Sequence, residues 1–213
     1  MNRDSVVYVV IFAFLIAFVF VGVLSAAYIG TKTIVDDNRE FAFYSALLSS
    51  LGLDVSDKAS VESAFSSVEV AGYEGQDIYR LKNADNGYNY AIVVSGPGLW
   101  GTVSIVLAVS EDLSRIRGLS ILDQNETPGL GGRITENWFL AQFKGESVST
   151  SGIDVVQTGG SGDADRSNSK VDGITGATRT SDAMEAIVNK GLKTLREAVS
   201  SLSDSDFVSA AGR

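Results

Sequence analysis

The sequence predicts an α+β fold: a single N-terminal transmembrane helix followed by a domain whose antiparallel sheet is flanked by helices. Three observations predict it. No residue from Ser5 to Thr31 is charged, and Val6 to Ile29 is dominated by Val, Ile, Leu, Phe and Ala. From Asp77 the apolar period shortens to that of strands, with turn residues between the runs. Near the C-terminus Met184, Ile187, Val188, Leu192, Leu195 and Val199 return to helical spacing.

Taken in order, the first apolar run exceeds the roughly 20 residues that cross a hydrocarbon core about 30 Å thick. Tyr8 and Tyr28 lie near its two ends, where amphipathic rings favour the interface. A cleaved signal peptide, with Ser25-Ala26-Ala27 as the small-residue site, would have an apolar region of about 7–15 residues. This run is longer, so an uncleaved anchor is expected. Arg3 precedes the span and Lys32 and Arg39 follow it, so the positive-inside rule discriminates poorly between orientations. Asp36, Asp37 and Asn38 then supply helix-start chemistry for Phe41, Tyr44, Leu47, Leu48 and Leu51, which recur at helical spacing up to Gly52. A second helix is expected from Ser56 or Asp57, with Val61, Ala64, Phe65 and Val68 on one face.

Four strands follow, Asp77–Lys82, Tyr88–Ser95, Gly101–Ser110 and Ile116–Leu122, with connections short enough for an antiparallel meander. Asp85-Asn86-Gly87 is the clearest hairpin turn. Asn137–Phe143 reads as a short helix, Thr158–Ser169 as a Gly/Ser/Asp-rich surface loop, and Thr180, Ser181 or Asp182 as the cap of the last helix. The last dozen residues, polar or small, are expected to be mobile. The resulting domains are an anchor over 1–31, a helical connector over 32–70, a folded domain over 71–200 and a polar tail over 201–213.

Composition removes several chemistries. The chain has no cysteine and no histidine. On its own residues it builds no iron–sulfur cluster, His-ligated haem or typical zinc site, and no Ser-His-Asp triad. A formal net charge of −9 argues against nucleic-acid binding. Redox work would require a borrowed cofactor. No Gly-x-Gly-x-x-Gly follows a strand and opens a helix, so NADH binding by this chain is not expected.

Two segments carry more specific chemistry. Asp172-Gly173-Ile174-Thr175-Gly176-Ala177-Thr178 packs two hydroxyls, two glycines, an alanine and a carboxylate into seven residues. Small residues there let something large approach the backbone. Alone, Thr-Gly-Ala-Thr reads equally as a turn followed by helix-capping chemistry. Glu126-Thr127-Pro128-Gly129-Leu130-Gly131-Gly132 follows a predicted strand and is a shaped loop whose amides can face a ligand. Thr178 lies just before a predicted helix N-terminus, where amide donors and the positive dipole end favour a phosphate. Lys170 and Arg179 add positive charge nearby, and each alone reads as ordinary surface solvation.

Together the two segments resemble the FMN-binding subunits of two related membrane complexes. These are NqrC of the sodium-translocating NADH:quinone reductase (Nqr) and RnfG of the Rnf electron transport complex. That family carries a flavinylation motif, Asp-Gly-x-Thr-Gly-Ala-Thr, and a Glu-Thr-Pro-Gly-Leu-Gly loop upstream of it. Gly96-Pro97-Gly98-Leu99-Trp100-Gly101, Trp138 and Phe143-Lys144-Gly145 agree in spacing. The likeness spans the anchor and roughly Gly96 to Leu195.

The resemblance implies covalent FMN, joined by a phosphoester to Thr178. It implies that Asp172 orders the loop or is read by the flavin transferase that family members require, and that Thr175, Gly176 and Ala177 leave room for the ribityl phosphate. Glu126, Thr127, Leu130 and Gly131 become flavin-contact candidates, with Lys170 near the phosphate. Trp100 is either a flavin neighbour or a core aromatic. The implied function is electron relay between redox subunits of an ion-translocating complex, with no complete active site on this chain. The implied placement is a single-pass anchor in the bacterial inner membrane, N-terminus cytoplasmic and FMN domain outside, with membrane lipid and the other subunits as partners. The Gly-Pro-Gly-Leu-Trp-Gly run leans toward NqrC, whereas the modest length leans toward RnfG; NqrC is the expectation. The alternative is a membrane-anchored extracytoplasmic flavin-binding sensor, or a stand-alone flavinylated shuttle outside any pump.

Overall fold

The computed structural model describes residues 5–55, 57–84, 87–159 and 161–212. Two compact units divide between Phe41 and Ala42. The first is the helical apolar run, whose side chains, among them Phe14, Phe18, Leu24 and Ile29, are exposed. It belongs to α1 (Val6–Leu51), which is long and apolar enough to cross a membrane by length and composition. The expected new helix start at Asp36–Asn38 does not exist, because α1 continues unbroken through it. Residues that can cap do so only where the preceding backbone leaves the helix, and here the ladder simply carries on.

In the second unit the sheet has the order β5-β4-β3-β2-β1-β8 and every pair is antiparallel. Its strands are β1 (Glu69–Tyr73), β2 (Gln76–Lys82), β3 (Tyr88–Pro97), β4 (Thr102–Val109), β5 (Ile116–Asp123) and β8 (Val208–Ser209). The four predicted strands are therefore present as a meander. In the β2–β3 hairpin Lys82 pairs with Tyr88; Asp85 and Asn86 of its expected turn lie outside the described residues. A parallel pair, β6 (Asp154–Val156) and β7 (Lys170–Asp172), lies apart from the main sheet. Helices α2 (Lys58–Phe65), α3 (Asn137–Phe143) and α4 (Thr178–Ser201) complete the unit. The α2 start falls to Asp57, whose carboxylate caps the Ser60 amide at 2.9 Å; Ser56, the other candidate, lies outside the described residues.

Alternation along the central strands buries both faces. On one, Ile92, Val94, Ile105 and Leu107 join Met184, Ile187, Val188, Leu192 and Leu195 of α4 in a single apolar core. On the other, the end of α1 closes down with Leu47, Leu48 and Leu51 fully buried. Asn89 Nδ2 donates to the Leu51 carbonyl at 2.9 Å, which satisfies a helix-end acceptor. Contact there is so close that a Cβ on Gly118 of β5 would sit 2.7 Å from the Ser50 carbonyl oxygen, so only glycine fits.

Two differences from the sequence reading concern the sheet edge. β1 is a strand that helical spacing concealed, since Val68 and Ala71 continue the apolar rhythm of α2. The polar tail, expected to be mobile, folds back instead: Val70 pairs with Val208, and the Ala210 amide donates to the Val68 carbonyl at 2.9 Å. Arg80 holds it there through an ion pair between Nη1 and Asp204 Oδ1.

Candidate functional site

Three loops meet at the first turn of α4. The first follows β7 and carries Asp172–Thr178. Asp172 is buried; its Oδ1 accepts from the Thr158 hydroxyl and its Oδ2 from the Gly162 amide at 3.0 Å. Gln142 of α3 clamps the same residue through its backbone. Its Oε1 accepts from the Asp172 amide at 2.7 Å and its Nε2 donates to the Asp172 carbonyl at 3.2 Å. Asp172 therefore ties Thr158 and Gly162 to the end of β7. Beyond it Ile174 is fully buried, and its amide donates to Ser181 Oγ at 2.9 Å.

The chain then surfaces. Thr175 and Gly176 are exposed, and Gly176 takes φ +81°, a left-handed conformation that glycine adopts without strain. That reversal delivers Ala177 as the helix N-cap and Thr178 as the first helical residue, with its side chain exposed. The expected caps at Thr180–Asp182 are not used as caps, because the helix starts earlier. Thr180 and Ser181 are instead buried within the first turn. The amides of Thr178, Arg179 and Thr180 face the open end of the helix, where no preceding turn offers a carbonyl.

The second loop is Glu126–Gly132, passing into a 3₁₀ turn over Gly131–Thr135. Thr127 and Leu130 are exposed, whereas Glu126 and Gly131 are buried. Leu130 reaches the first loop: its Cδ2 lies 3.6 Å from where a Cβ on Gly176 would be. Glu126 reaches both α4 and the third loop, Pro97–Gly101. Its Oε2 accepts from Thr180 Oγ1 at 2.6 Å, and its Oε1 from the amides of Leu99 at 2.8 Å and Trp100 at 3.0 Å. Burial pushes its carboxyl up, but the Thr180 hydroxyl and the Trp100, Leu99 and Gly101 amides more than offset this and hold it below the usual glutamate range. It is an ionised strut. Trp100 is 70% exposed, so its core alternative falls; Leu99 and Leu130 are 45% and 47% exposed. Lys170, on β7, is exposed.

Residues 98–193 match the family described as FMN-binding domain. The C component of the Na(+)-translocating NADH-quinone reductase of Vibrio campbellii is 33% identical over 112 residues, 51% of this chain and 42% of that one. The G component of the proton-translocating ferredoxin:NAD(+) oxidoreductase complex of Clostridium ljungdahlii is 32% identical over 125 residues, 58% of this chain and 60% of that one. This chain is thus similar over residues 98–193 to an FMN-binding domain, and also to these two redox-complex components. The crystal structure of the Parabacteroides distasonis counterpart, also the C component of a Na(+)-translocating NADH-quinone reductase, has the same fold. Its TM-score is 0.67, with 22% identity over 81% of this chain and 98% of that one. Shewanella oneidensis NqrC follows at 0.65 and 16%, over 78% of this chain and all of that one. The chain spans about two fifths of the length of the Vibrio relatives it matches.

The residues at the start of α4 fit a flavin phosphate. A solvent-facing hydroxyl stands at the amide-rich end of a 24-residue helix, with exposed apolar side chains on the adjoining loops. Helix-end amides and dipole favour a phosphate, and flat apolar surface favours an isoalloxazine ring. Sequence reading missed Gln142, Thr180 and Ser181 as the groups that hold these loops. Thr180 and Ser181 were legible only as caps, and Gln142 carried no local signal.

One further acid shapes the approach to β7. Glu146 is fully buried; its Oε1 accepts from the Ser169 amide at 2.8 Å, and its Oε2 has no hydrogen-bond partner among the described residues. Burial dominates the opposing Ser169 amide and Arg166 charge, so its carboxyl is raised above the ordinary 4.5. The folded protein thus keeps this proton where the unfolded chain has lost it. Stability from the group is complete below about pH 4 and is lost as pH rises through the folded value. Glu146→Gln should remove that loss. In urea melts run from about pH 4 upward, the variant should gain on the parent as pH rises through the folded value; a constant difference would contradict the assignment.

Proposed function

We propose that this chain is an electron-carrying subunit of an ion-translocating membrane oxidoreductase complex, holding FMN through a phosphoester to Thr178 and relaying electrons between neighbouring redox subunits. The observation that carries the reading is the meeting of the Asp172–Thr178 and Glu126–Gly132 loops at the start of α4, with the Thr178 side chain left in solvent. When bound, FMN supplies the electron chemistry that a chain without cysteine or histidine lacks.

The chain's own residues attach and place it. Thr178 Oγ1 would hold FMN through an ester to its phosphorus; a flavin transferase would take the hydroxyl proton, and the phosphoanhydride bond of a flavin dinucleotide donor would break with release of the nucleoside monophosphate. The first-turn amides of α4 balance phosphate charge, with Arg179 and Lys170 as exposed cations near the same loop. Thr175, Gly176 and Ala177 are small enough to leave room for the ribityl phosphate. Leu99, Trp100, Thr127 and Leu130 offer exposed surface to the ring. The first part of α1 anchors the chain in the cell membrane as a single span, N-terminus cytoplasmic, with the FMN-binding domain outside and lipid around the apolar side chains.

The NqrC position in an Nqr-type complex is the preferred place. The Gly-Pro-Gly-Leu-Trp-Gly run supports it, as does the 33% identity to the Vibrio campbellii relative. The RnfG position in an Rnf-type complex is the second reading, supported by the larger share of the Clostridium ljungdahlii relative which the chain covers.

Mass spectrometry tests attachment directly. Trypsin cuts after Lys170 and Arg179, releasing residues 171–179, which contain both candidate hydroxyls. From chain co-expressed with a flavin transferase, this peptide should carry the mass of FMN less one water, with fragmentation placing it on Thr178. An unmodified peptide, or an adduct on Thr175, would overturn the proposal.

A further inference from the structure

We infer that Glu126 is a positioning residue for the flavin, acting through the backbone of Leu99 and Trp100 rather than by touching the cofactor. The inference rests on the proposed attachment at Thr178 for its functional meaning, but its geometry stands apart from it. Both carboxylate oxygens are committed to the chain's own donors, Oε1 to the Leu99 and Trp100 amides and Oε2 to the Thr180 hydroxyl. The residue is only 4% exposed, which leaves little surface to offer a ligand.

Two glycines make the cradle. A Cβ on Gly98 would lie 2.5 Å from Oε1, and one on Gly131 would lie 2.7 Å from Oε2 and 2.5 Å from Thr180 Oγ1. The carboxylate is therefore enclosed by the loops that it joins. Its own backbone is fixed too, since the Glu126 amide donates to Gln124 Oε1 at 2.6 Å. The Trp100 indole, by contrast, is mostly in solvent and has little packing to hold it. Its position follows from its backbone, and that backbone is held by Glu126. Through Thr180 the same carboxylate is tied to the turn that bears Thr178, two residues earlier. One side chain thus sets an exposed indole relative to the attachment hydroxyl.

The test uses full-length chain in detergent, with and without transferase loading, in a Trp138→Phe background that leaves Trp100 as the single tryptophan. In unloaded chain, Glu126→Ala should speed hydrogen exchange at the Leu99 and Trp100 amides by about tenfold or more, the scale of one lost charge-assisted hydrogen bond, while β3–β4 ladder amides keep their rates. Acrylamide should quench Trp100 more readily. Glu126→Gln should rescue both, because its amide oxygen accepts the same two bonds and its NH2 can donate to Thr180. In loaded chain, Glu126→Ala should shift flavin fluorescence yield and midpoint potential in the same sense as Trp100→Phe, and should add nothing to Trp100→Phe in the double variant.

Unchanged exchange at the two amides would overturn the inference, and so would a flavin shift that persists in the Trp100→Phe background. Should Glu126→Ala fail to fold, Thr180→Val cuts only the link to α4. It should lower the anisotropy of the attached flavin, and an unchanged value would overturn the inference. Absence of flavin on wild-type Thr178 would sink the proposed function instead, and the exchange comparison in unloaded chain would still decide the role of Glu126.

Discussion

Thr178→Ala is expected to abolish covalent flavin completely while leaving the fold intact. The expectation separates chemistry from stability because the hydroxyl has no structural work. Thr178 is the first residue of α4 and is exposed, and the N-cap is Ala177, which makes no side-chain cap hydrogen bond. Removing its hydroxyl forfeits no cap and opens no cavity, so the melting temperature should stay within about 2 °C, the range of neutral surface substitutions. Thr175→Ala is the control. Its hydroxyl lies on the same loop, on the other side of the Gly176 reversal, and its loss should at most weaken loading. Thr178→Ser keeps an oxygen at the same place and should retain some flavin. Denaturing gels of transferase-co-expressed chain, viewed under ultraviolet light before staining, read all three. Fluorescence persisting in Thr178→Ala would refute the assignment.

How much of this was legible in the sequence depends on the range of the interactions. The strands from Gln76 to Asp123 were legible because each is a Val/Ile/Tyr-rich run closed by turn residues, which is a local signal. β1 was not, because its five residues, with Gly72 near their centre, follow a helix whose apolar rhythm Val68 and Ala71 continue. β8 is two residues long and exists only because β1 and Arg80 receive it. The unbroken run of α1 shows the opposite error: capping residues were present at Asp36–Asn38, but no break in the ladder required them.

The site divides along the same line. The proposed attachment position and the loop-shaping positions form contiguous motifs, and the structure brings those motifs together at one helix end. Their supports are not contiguous. Glu126 meets Thr180 across 54 positions, and Gln142 meets Asp172 across 30. No periodicity or propensity reports such a pairing, since only the folded sheet decides which loops emerge side by side. Resemblance singled out Glu126 as a flavin contact; its burial and its three donors identify a strut.

Arg80→Met should destabilise the folded unit by about 3 kcal/mol and release the C-terminal segment first. The Arg80 side chain is only 5% exposed, and Nε lies 2.6 Å from Glu69 Oε2. Its guanidinium is sandwiched between rings, 4.1 Å from the centroid of Tyr88 and 4.0 Å from that of Phe207. Burial works against the cation, but the hydrogen bonds that it donates to Asp204 and Glu69 more than offset this, so Arg80 is held charged. Two desolvated cation–π contacts contribute about 1–2 kcal/mol each, and the ion pairs add less. Their share is reduced because Asp204 and Glu69 side chains are 87% and 39% exposed, and both regain water once Arg80 is gone. No charge is left buried in the variant, so the figure is close to the loss of the two cation–π contacts, about 3 kcal/mol. For a chain of this size it corresponds to a drop in melting temperature of roughly 6–12 °C. Lysine should not rescue it, since a point charge neither stacks flat between two rings nor reaches both acids with a planar fork. Losing the clamp also uncovers the outer edge of β1, so limited proteolysis should cut beyond Leu202 well below the global transition. Simultaneous loss of tail and core protection would mean that Arg80 supports the whole sheet rather than the clasp at its edge.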